Sequence, residues 1–137
     1  MRISKTFLTV DIVIFNDVVS FKQILLIKRK HDPYKDYWAL PGGFVNEHED
    51  LEVAALRELK EETNLHFSSL KQLKAFGKPF RDPRSHVVSI AFVGSTNQYL
   101  DIKAADDAKE IGWFSIDNLP NIAFDHQEII NFALGSL

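Results

Sequence analysis

From Asp50 to about Thr63 the chain repeats with the period of an α-helix, and no other segment constrains the fold as strongly. Val53, Leu56 and Leu59 fall on one side of it. Glu58, Glu61 and Glu62 fall on the other, within about a quarter-turn of one another, with Leu51, Ala54 and Ala55 on that same side earlier in the helix. A helix with apolar residues on both sides is expected to be covered on both, with small alanines where something approaches closely. A solvated surface helix would not carry that pattern.

The segments around it read as strands. Residues 6–15 are rich in β-branched and aromatic types and end at Asn16-Asp17, a turn signal. Residues 23–29 read as a second strand closed by the basic run Lys28 to His31, which by itself suggests a solvated strand end. Trp38-Ala39-Leu40 precedes the breaker Pro41-Gly42-Gly43. Residues 69–76 and 86–93 follow as strands, then a short one at Gly112-Trp113-Phe114. Asp125 to Leu134 reads as a last helix, with Asp125 and Glu128 spaced as a variant capping box. The expected class is α/β (α+β), a mixed sheet between helices. At 137 residues the chain has room for a single domain, residues 1–137, with one proper core.

Composition removes several classes of function. Hydrophobic residues make up 45% and charged residues 26%, the balance of a globular chain rather than a disordered one. A formal charge of −3 leaves no basic footprint for long nucleic acid. The absence of cysteine excludes disulfides, thiol catalysis and thiolate metal sites, so a metal would need oxygen or imidazole ligands. No apolar run is long enough for a signal peptide or a membrane span, and a cytoplasmic protein is expected.

The chemistry is concentrated between Gly43 and Leu65. Glutamates at i, i+3 and i+4 crowd like charges on one helix face, each close pair costing a few tenths of a kcal/mol or more. A hard divalent cation among the oxygens would relieve that repulsion, and Mg²⁺ or Mn²⁺ suits an all-oxygen site. Three glutamates on a helix usually mark a plain surface. Here Gly43, Glu49 and Arg57 stand in register with them.

That register resembles the Nudix hydrolase family. Its box runs Gly, five residues, Glu, seven residues, then Arg-Glu-aliphatic-x-Glu-Glu-x-Gly-aliphatic, and eight of the nine defined positions between Gly43 and Leu65 agree. Asn64 replaces the glycine, which would close the helix in a left-handed conformation that asparagine also tolerates. The resemblance implies a Nudix-like α/β/α sandwich with a catalytic loop-helix, and hydrolysis by a metal-activated water attacking phosphorus. It implies Glu58, Glu61 and Glu62 as metal ligands with the Gly43 carbonyl, Arg57 as the residue that orients a glutamate, and Glu49 either as a support for the loop-to-helix turn or as a residue behind the metal ligands. The general base varies among relatives: Glu61 or Glu62 is one choice, and Asp106, Asp107 or Glu110 on a later segment is another, the latter group also offering an extra metal ligand. A homodimer paired through N-terminal strands fits the same resemblance.

Outside the box, the loop from Trp38 to Val45, the run Phe80 to Ser89 and the later Ala123-Phe124-Asp125-His126 resemble the ADP-ribose pyrophosphatase branch. Relatives of that branch include Nudix domains joined to NAD-metabolism enzymes and to NAD-related repressors. The substrate expected on that basis is a small nucleotide, ADP-ribose, split to AMP and ribose 5-phosphate. Arg81 and Arg84 would fork a diphosphate or terminal phosphate, although arginines in such loops are as often plain surface residues. Trp38, Phe44 or Phe80 would stack on the base, although Trp38 and Trp113 are of a type that more often packs in a core. His86 and His126 are more often structural than catalytic.

Two other functions compete. An oxidised-dNTP pyrophosphatase would share the box and differ in the base pocket. A sensor domain would bind ADP-ribose without hydrolysis; such domains are expected to continue into a DNA-binding segment and often have a degraded box, whereas the sequence stops at Leu137 and keeps all three glutamates.

Overall fold

Strand β1, Phe7–Asn16, organises the molecule because its alternation is apolar on both faces. Val10, Ile12 and Ile14 point to one side and Val13 and Phe15 to the other, all fully buried. The computed structural model describes residues 3–100, 102–103 and 108–137. Its further elements are β2 (Gln23–Arg29), β3 (Trp38–Ala39), β4 (Gly42–Phe44), α1 (Leu51–Thr63), β5 (Lys71–Phe76), β6 (Val87–Thr96), β7 (Ala108–Ser115) and α2 (His126–Gly135).

The strands form one mixed sheet with spatial order β3-β2-β1-β6-β5, β4 also pairing with β1 and β7 with β2. β1 runs parallel to β6 from Phe7↔Val87 to Asn16↔Thr96 and antiparallel to β2 and β4. Each face carries a helix. Ala54, Ala55 and Leu59 of α1 pack with Val10, Ile12, Ile14 and Phe92. Ile129, Ile130 and Ala133 of α2 pack with Val13, Phe15, Ile24 and Leu26 on the opposite face. The α/β/α layering expected from the sequence is therefore present.

Four local expectations are corrected. Pro41-Gly42-Gly43 is not only a breaker: Gly42–Phe44 is a strand, with Thr9↔Phe44, Val10↔Gly43 and Asp11↔Gly42 in register. The short strand at 112–114 extends over Ala108–Ser115 because β2 pairs with it from Gln23 to Arg29. In α1, Val53 is 54% exposed, while Ala54, Ala55, Leu59 and Thr63 form the buried stripe. The contact with the sheet thus runs through the alanines, as close approach requires, and does not include Val53. In α2, Asp125 caps nothing with its side chain. Its carboxylate instead accepts two hydrogen bonds from Arg81, Nε at 2.9 Å and Nη2 at 2.6 Å.

Candidate active site

Arg57 gathers the box. Its Nε donates to Glu49 Oε2 at 2.7 Å and its Nη2 to Glu49 Oε1 at 2.9 Å, a bidentate fork. Nη1 donates to Glu58 Oε1 at 2.8 Å and to Glu61 Oε2 at 3.2 Å, while Nη2 also reaches the Phe44 carbonyl at 3.1 Å. One guanidinium therefore ties the face of α1 to β4 and to the turn before the helix. Glu49 also closes that turn, since its Oε1 accepts the Asn46 N–H at 3.0 Å. These donors hold the Glu49 carboxyl down at about 2, the Arg57 hydrogen bonds being the main cause. Glu58 goes the other way: burial pushes its carboxyl up, against the pull of Arg57.

Close approach demands glycine at 42, where a Cβ would meet backbone, and at 43 a Cβ would displace the end of the Glu58 side chain. A Cβ on Gly43 would lie 2.6 Å from the Glu58 carboxylate, and one on Gly42 would meet the Val10 carbonyl oxygen at 2.2 Å. The Gly42 N–H donates to Glu62 Oε2 at 3.2 Å. So β4 is bare backbone laid against the carboxylates of α1. Among the described residues no three carboxylate or imidazole groups stand together as a ready-made metal cluster, because Glu58 and Glu61 lean toward Arg57 and Glu62 toward Gly42. The donor set nevertheless fits a hard divalent cation: it is all oxygen, it carries excess negative charge, and it borders a backbone that glycine leaves unscreened.

A cleft of about 380 Å³ opens beside this loop, lined on one side by Gly42, Gly43, Phe44 and Glu62. Of the expected substrate residues, Phe44 and Arg84 line it, Phe44 being 48% exposed. Arg84 is paired with Asp82 through Nε at 3.0 Å and Nη2 at 2.7 Å, and its side chain stays 48% exposed. Burial raises the Asp82 carboxyl, but the Arg84 hydrogen bonds outweigh it and hold the group below its ordinary value. Arg81 lines the cleft too, yet its two-pronged contact is made to Asp125, and its side chain is only 5% exposed. It is an internal strut, not a free fork. Trp38 is absent from the cleft wall and packs edge-on against Phe114 at 4.6 Å, within the α2-side core. Phe80 is 92% exposed and also lies off the lining. Glu110 sits on β7 beside Lys28 at 3.3 Å and does not line the cleft. Asp106 and Asp107 lie outside the described residues.

Several wall residues had no functional signal in the sequence. Arg29, Lys30 and His31, read as a solvated strand end, line the cleft. Arg29 donates from Nε to the Pro33 carbonyl at 2.7 Å and stands 4.9 Å from the centre of the Phe124 ring; Arg84 stands 5.7 Å from the same ring. Burial, and then the charge of Arg84, push the Arg29 guanidinium below its ordinary value. Phe124 holds this position at φ 54°, a conformation that bulky residues seldom adopt. Asp11 and His126, both buried, lie on the floor. Burial raises the Asp11 carboxyl and lowers the His126 imidazole. The Phe124-Asp125-His126 run was visible as a motif; its partners, 40 or more residues away, were not.

Known proteins agree with this geometry. The NUDIX domain family model matches residues 5–132. The chain is 50% identical over 113 residues to an ADP-ribose pyrophosphatase of Methanocaldococcus jannaschii, covering 79% of this chain and 63% of the relative. It is 34% identical to the ADPR responsive transcriptional repressor NtrR of Acinetobacter baylyi, covering 95% of this chain and 54% of that protein. The chain thus spans less than two thirds of either relative. Among solved structures, the NUDIX domain of Shewanella oneidensis NrtR complexed with ADP ribose superposes with a TM-score of 0.89 at 27% identity, covering 98% of this chain and 90% of that one. A bifunctional NMN adenylyltransferase/ADP ribose pyrophosphatase from Francisella tularensis, complexed with AMP and a Mn ion, gives 0.86 at 32% identity, covering 99% and 43%. With the box in register, the sheet layered between its helices and the family match running almost end to end, the chain belongs to the NUDIX domain family.

Proposed function

We propose that this domain hydrolyses ADP-ribose to AMP and ribose 5-phosphate with Mg²⁺ or Mn²⁺. The observation that carries the reading is the Arg57 knot, which holds Glu49, Glu58 and Glu61 against a glycine strand bordering a cleft lined by Arg29, Arg84, Phe44 and Phe124. The ADP-ribose-directed names of the relatives support the substrate. Glu58, Glu61, Glu62 and the Gly43 carbonyl would hold the metal, which when bound supplies Lewis-acid stabilisation of the phosphate charge and a more acidic water. Arg57 keeps Glu49 ionised and holds the Glu58 and Glu61 carboxylates in place. Of the two box glutamates that would take the proton of the attacking water, Glu61 and Glu62, it is Glu62 that lines the cleft. The P–O–P bond breaks, with the water oxygen ending on one phosphate and the other phosphate leaving.

Arg29 and Arg84, two like charges brought over one ring, suit the diphosphate, and Phe124 and Phe44 offer faces to the sugar and base. No helix among the described residues is long and apolar enough to cross a membrane. A cytoplasmic location and a homodimer belong to the same reading.

A panel of ADP-ribose, NADH, diadenosine polyphosphates and oxidised dNTPs, each with Mg²⁺ and with Mn²⁺, tests it. AMP release from ADP-ribose is expected to lead. Preference for a dNTP would overturn the substrate, and no turnover of any member would overturn the enzyme. ADP-ribose binding without turnover would favour a sensor, the reading that the likeness to the Acinetobacter repressor supports. Glu61→Gln is expected to lower kcat by about 10²-fold or more with the fold intact, the range over which metal and acid–base groups act.

A further inference from the structure

A buried polar line under the 40–43 segment takes part in none of the steps above. His126 is 5% exposed, Asp11 7% and Ser89 0%. The Ser89 hydroxyl donates to Asp11 Oδ2. Asp11 Oδ1 faces His126 Nε2 at 3.5 Å, and His126 Nδ1 accepts the Leu40 N–H at 3.0 Å. That last contact sets the tautomer: Nδ1 offers its lone pair to Leu40, so the ring proton of the neutral imidazole sits on Nε2, toward the Asp11 carboxylate.

The constraint passes along the segment. Pro41 accepts the Ile12 N–H at 2.9 Å, and Gly42 donates to Glu62. A Cβ on Gly42 would lie 2.5 Å from Asp11 Oδ1, so the segment rests on that carboxylate. Gly43, next in the chain, rests on Glu58. At the other end His126 is planted by its neighbour, since Arg81 grips Asp125 and also reaches the Val87 carbonyl at 3.3 Å. The imidazole therefore joins α2, on one face of the sheet, to the segment that meets the carboxylates of α1, on the other. A histidine serving only its own burial could take any backbone partner. This one takes the N–H three residues before Gly43, and an apolar side chain in its place would leave that N–H buried without an acceptor.

We propose that His126 is a positioning residue for the metal-binding face of the site: it sets the backbone of residues 40–43 in the register that brings Gly42 to Glu62 and Gly43 to Glu58, with Asp11 and Ser89 steadying the imidazole. The proposal rests on the reading of those residues as a metal site, and the test is arranged so that the two fail separately. His126→Leu removes the acceptor at similar bulk. His126→Asn restores an acceptor near the place of Nδ1. Ser89→Ala removes only the support of Asp11.

Without substrate, amide exchange at Leu40 and Gly42 and the binding of Mn²⁺ alone, followed by electron paramagnetic resonance, are measured on all forms. With substrate, kcat and KM for ADP-ribose are separated. In His126→Leu we expect exchange at both amides to speed by about tenfold or more and Mn²⁺ binding and kcat to fall by about 10–100-fold, the range of supports behind metal ligands. KM is expected to stay within about threefold and exchange at Ile14 and Phe92 to stay slow, as a local and not a global loss demands. His126→Asn is expected to recover most of the loss, and Ser89→Ala to show a smaller loss at the same two amides. Unchanged exchange and Mn²⁺ affinity in His126→Leu would overturn the proposal, as would an Asn variant no better than the Leu one. Should His126→Leu not fold, wild-type exchange at Leu40 in Ser89→Ala would overturn it equally. If wild-type protein binds Mn²⁺ yet turns over no nucleotide, the hydrolase reading falls while the exchange and Mn²⁺ results still judge His126.

Discussion

Arg57 spends its donors on three carboxylates and one carbonyl, and the consequence is a pH dependence with a definite sign. Glu49 ionises at about 2 in the folded chain against an ordinary 4.5. A carboxyl depressed on folding stabilises the fold fully above the unfolded value, and the contribution is lost as pH falls through the folded one. Glu58, raised by burial, acts in the opposite sense: its contribution is present below the ordinary value and lost as pH rises through the raised one. In Arg57→Met the Glu49 depression disappears. The melting temperature of that variant is therefore expected to lie below wild type at neutral pH, with the gap closing between about 4.5 and about 2. Melts at pH 7, 4 and 2 check this, and a gap unchanged across them would show that Arg57 does not hold Glu49. At this scale the box register made Arg57 and Glu49 legible. Arg84 was legible as a residue of the cleft wall, but the pairing of Arg81 was not, because a guanidinium's partner depends on folding: Arg81 meets Asp125, 44 residues away.

Helix α1 stops where the sequence says it should. Asn64 sits at φ 63° and its N–H returns to the Lys60 carbonyl at 2.9 Å, a left-handed stop of the kind glycine usually makes. Asn64→Ala is expected to cost about 1 kcal/mol, the left-handed penalty of an ordinary residue, and Asn64→Gly to cost nothing or to stabilise slightly. Urea unfolding measures both, and kcat should be unchanged because Asn64 touches none of the carboxylates gathered by Arg57. An alanine variant as stable as wild type would remove the argument. Element types and most bounds were readable because alternation and turn residues are local signals. The strand at Gly42–Phe44 was not, since two glycines carry no β pattern and the strand exists only by pairing with β1. The exposure of Val53 was missed for a related reason: a helix apolar on both sides does not say which residue meets the sheet until the sheet is in place.

At the scale of the molecule, the two cores lie on opposite faces of one sheet, and on the face of α1 three glutamates share one guanidinium. Glu58 is 13% exposed in its side chain, is raised by burial, and shares a single guanidinium with Glu49 and Glu61. A cation bound there engages the native arrangement and not the unfolded chain, so it must raise stability by linkage. At 100 times its dissociation constant the gain is about 2.7 kcal/mol, and for a chain of this length that corresponds to roughly 5–10 °C in Tm. The gain is also proton-linked, because a ligating carboxylate has to be ionised. With Glu58 raised, the Mn²⁺-induced shift should shrink as pH falls, starting above the ordinary 4.5 of a glutamate. Glu58→Gln should abolish most of the shift while raising the metal-free Tm, since it removes one buried charge from a crowded set. Melts in EDTA and in Mn²⁺, at pH 7.5 and pH 5, test both halves. Equal midpoints with and without metal would mean that this face binds no cation, and a shift insensitive to Glu58→Gln would place the cation elsewhere.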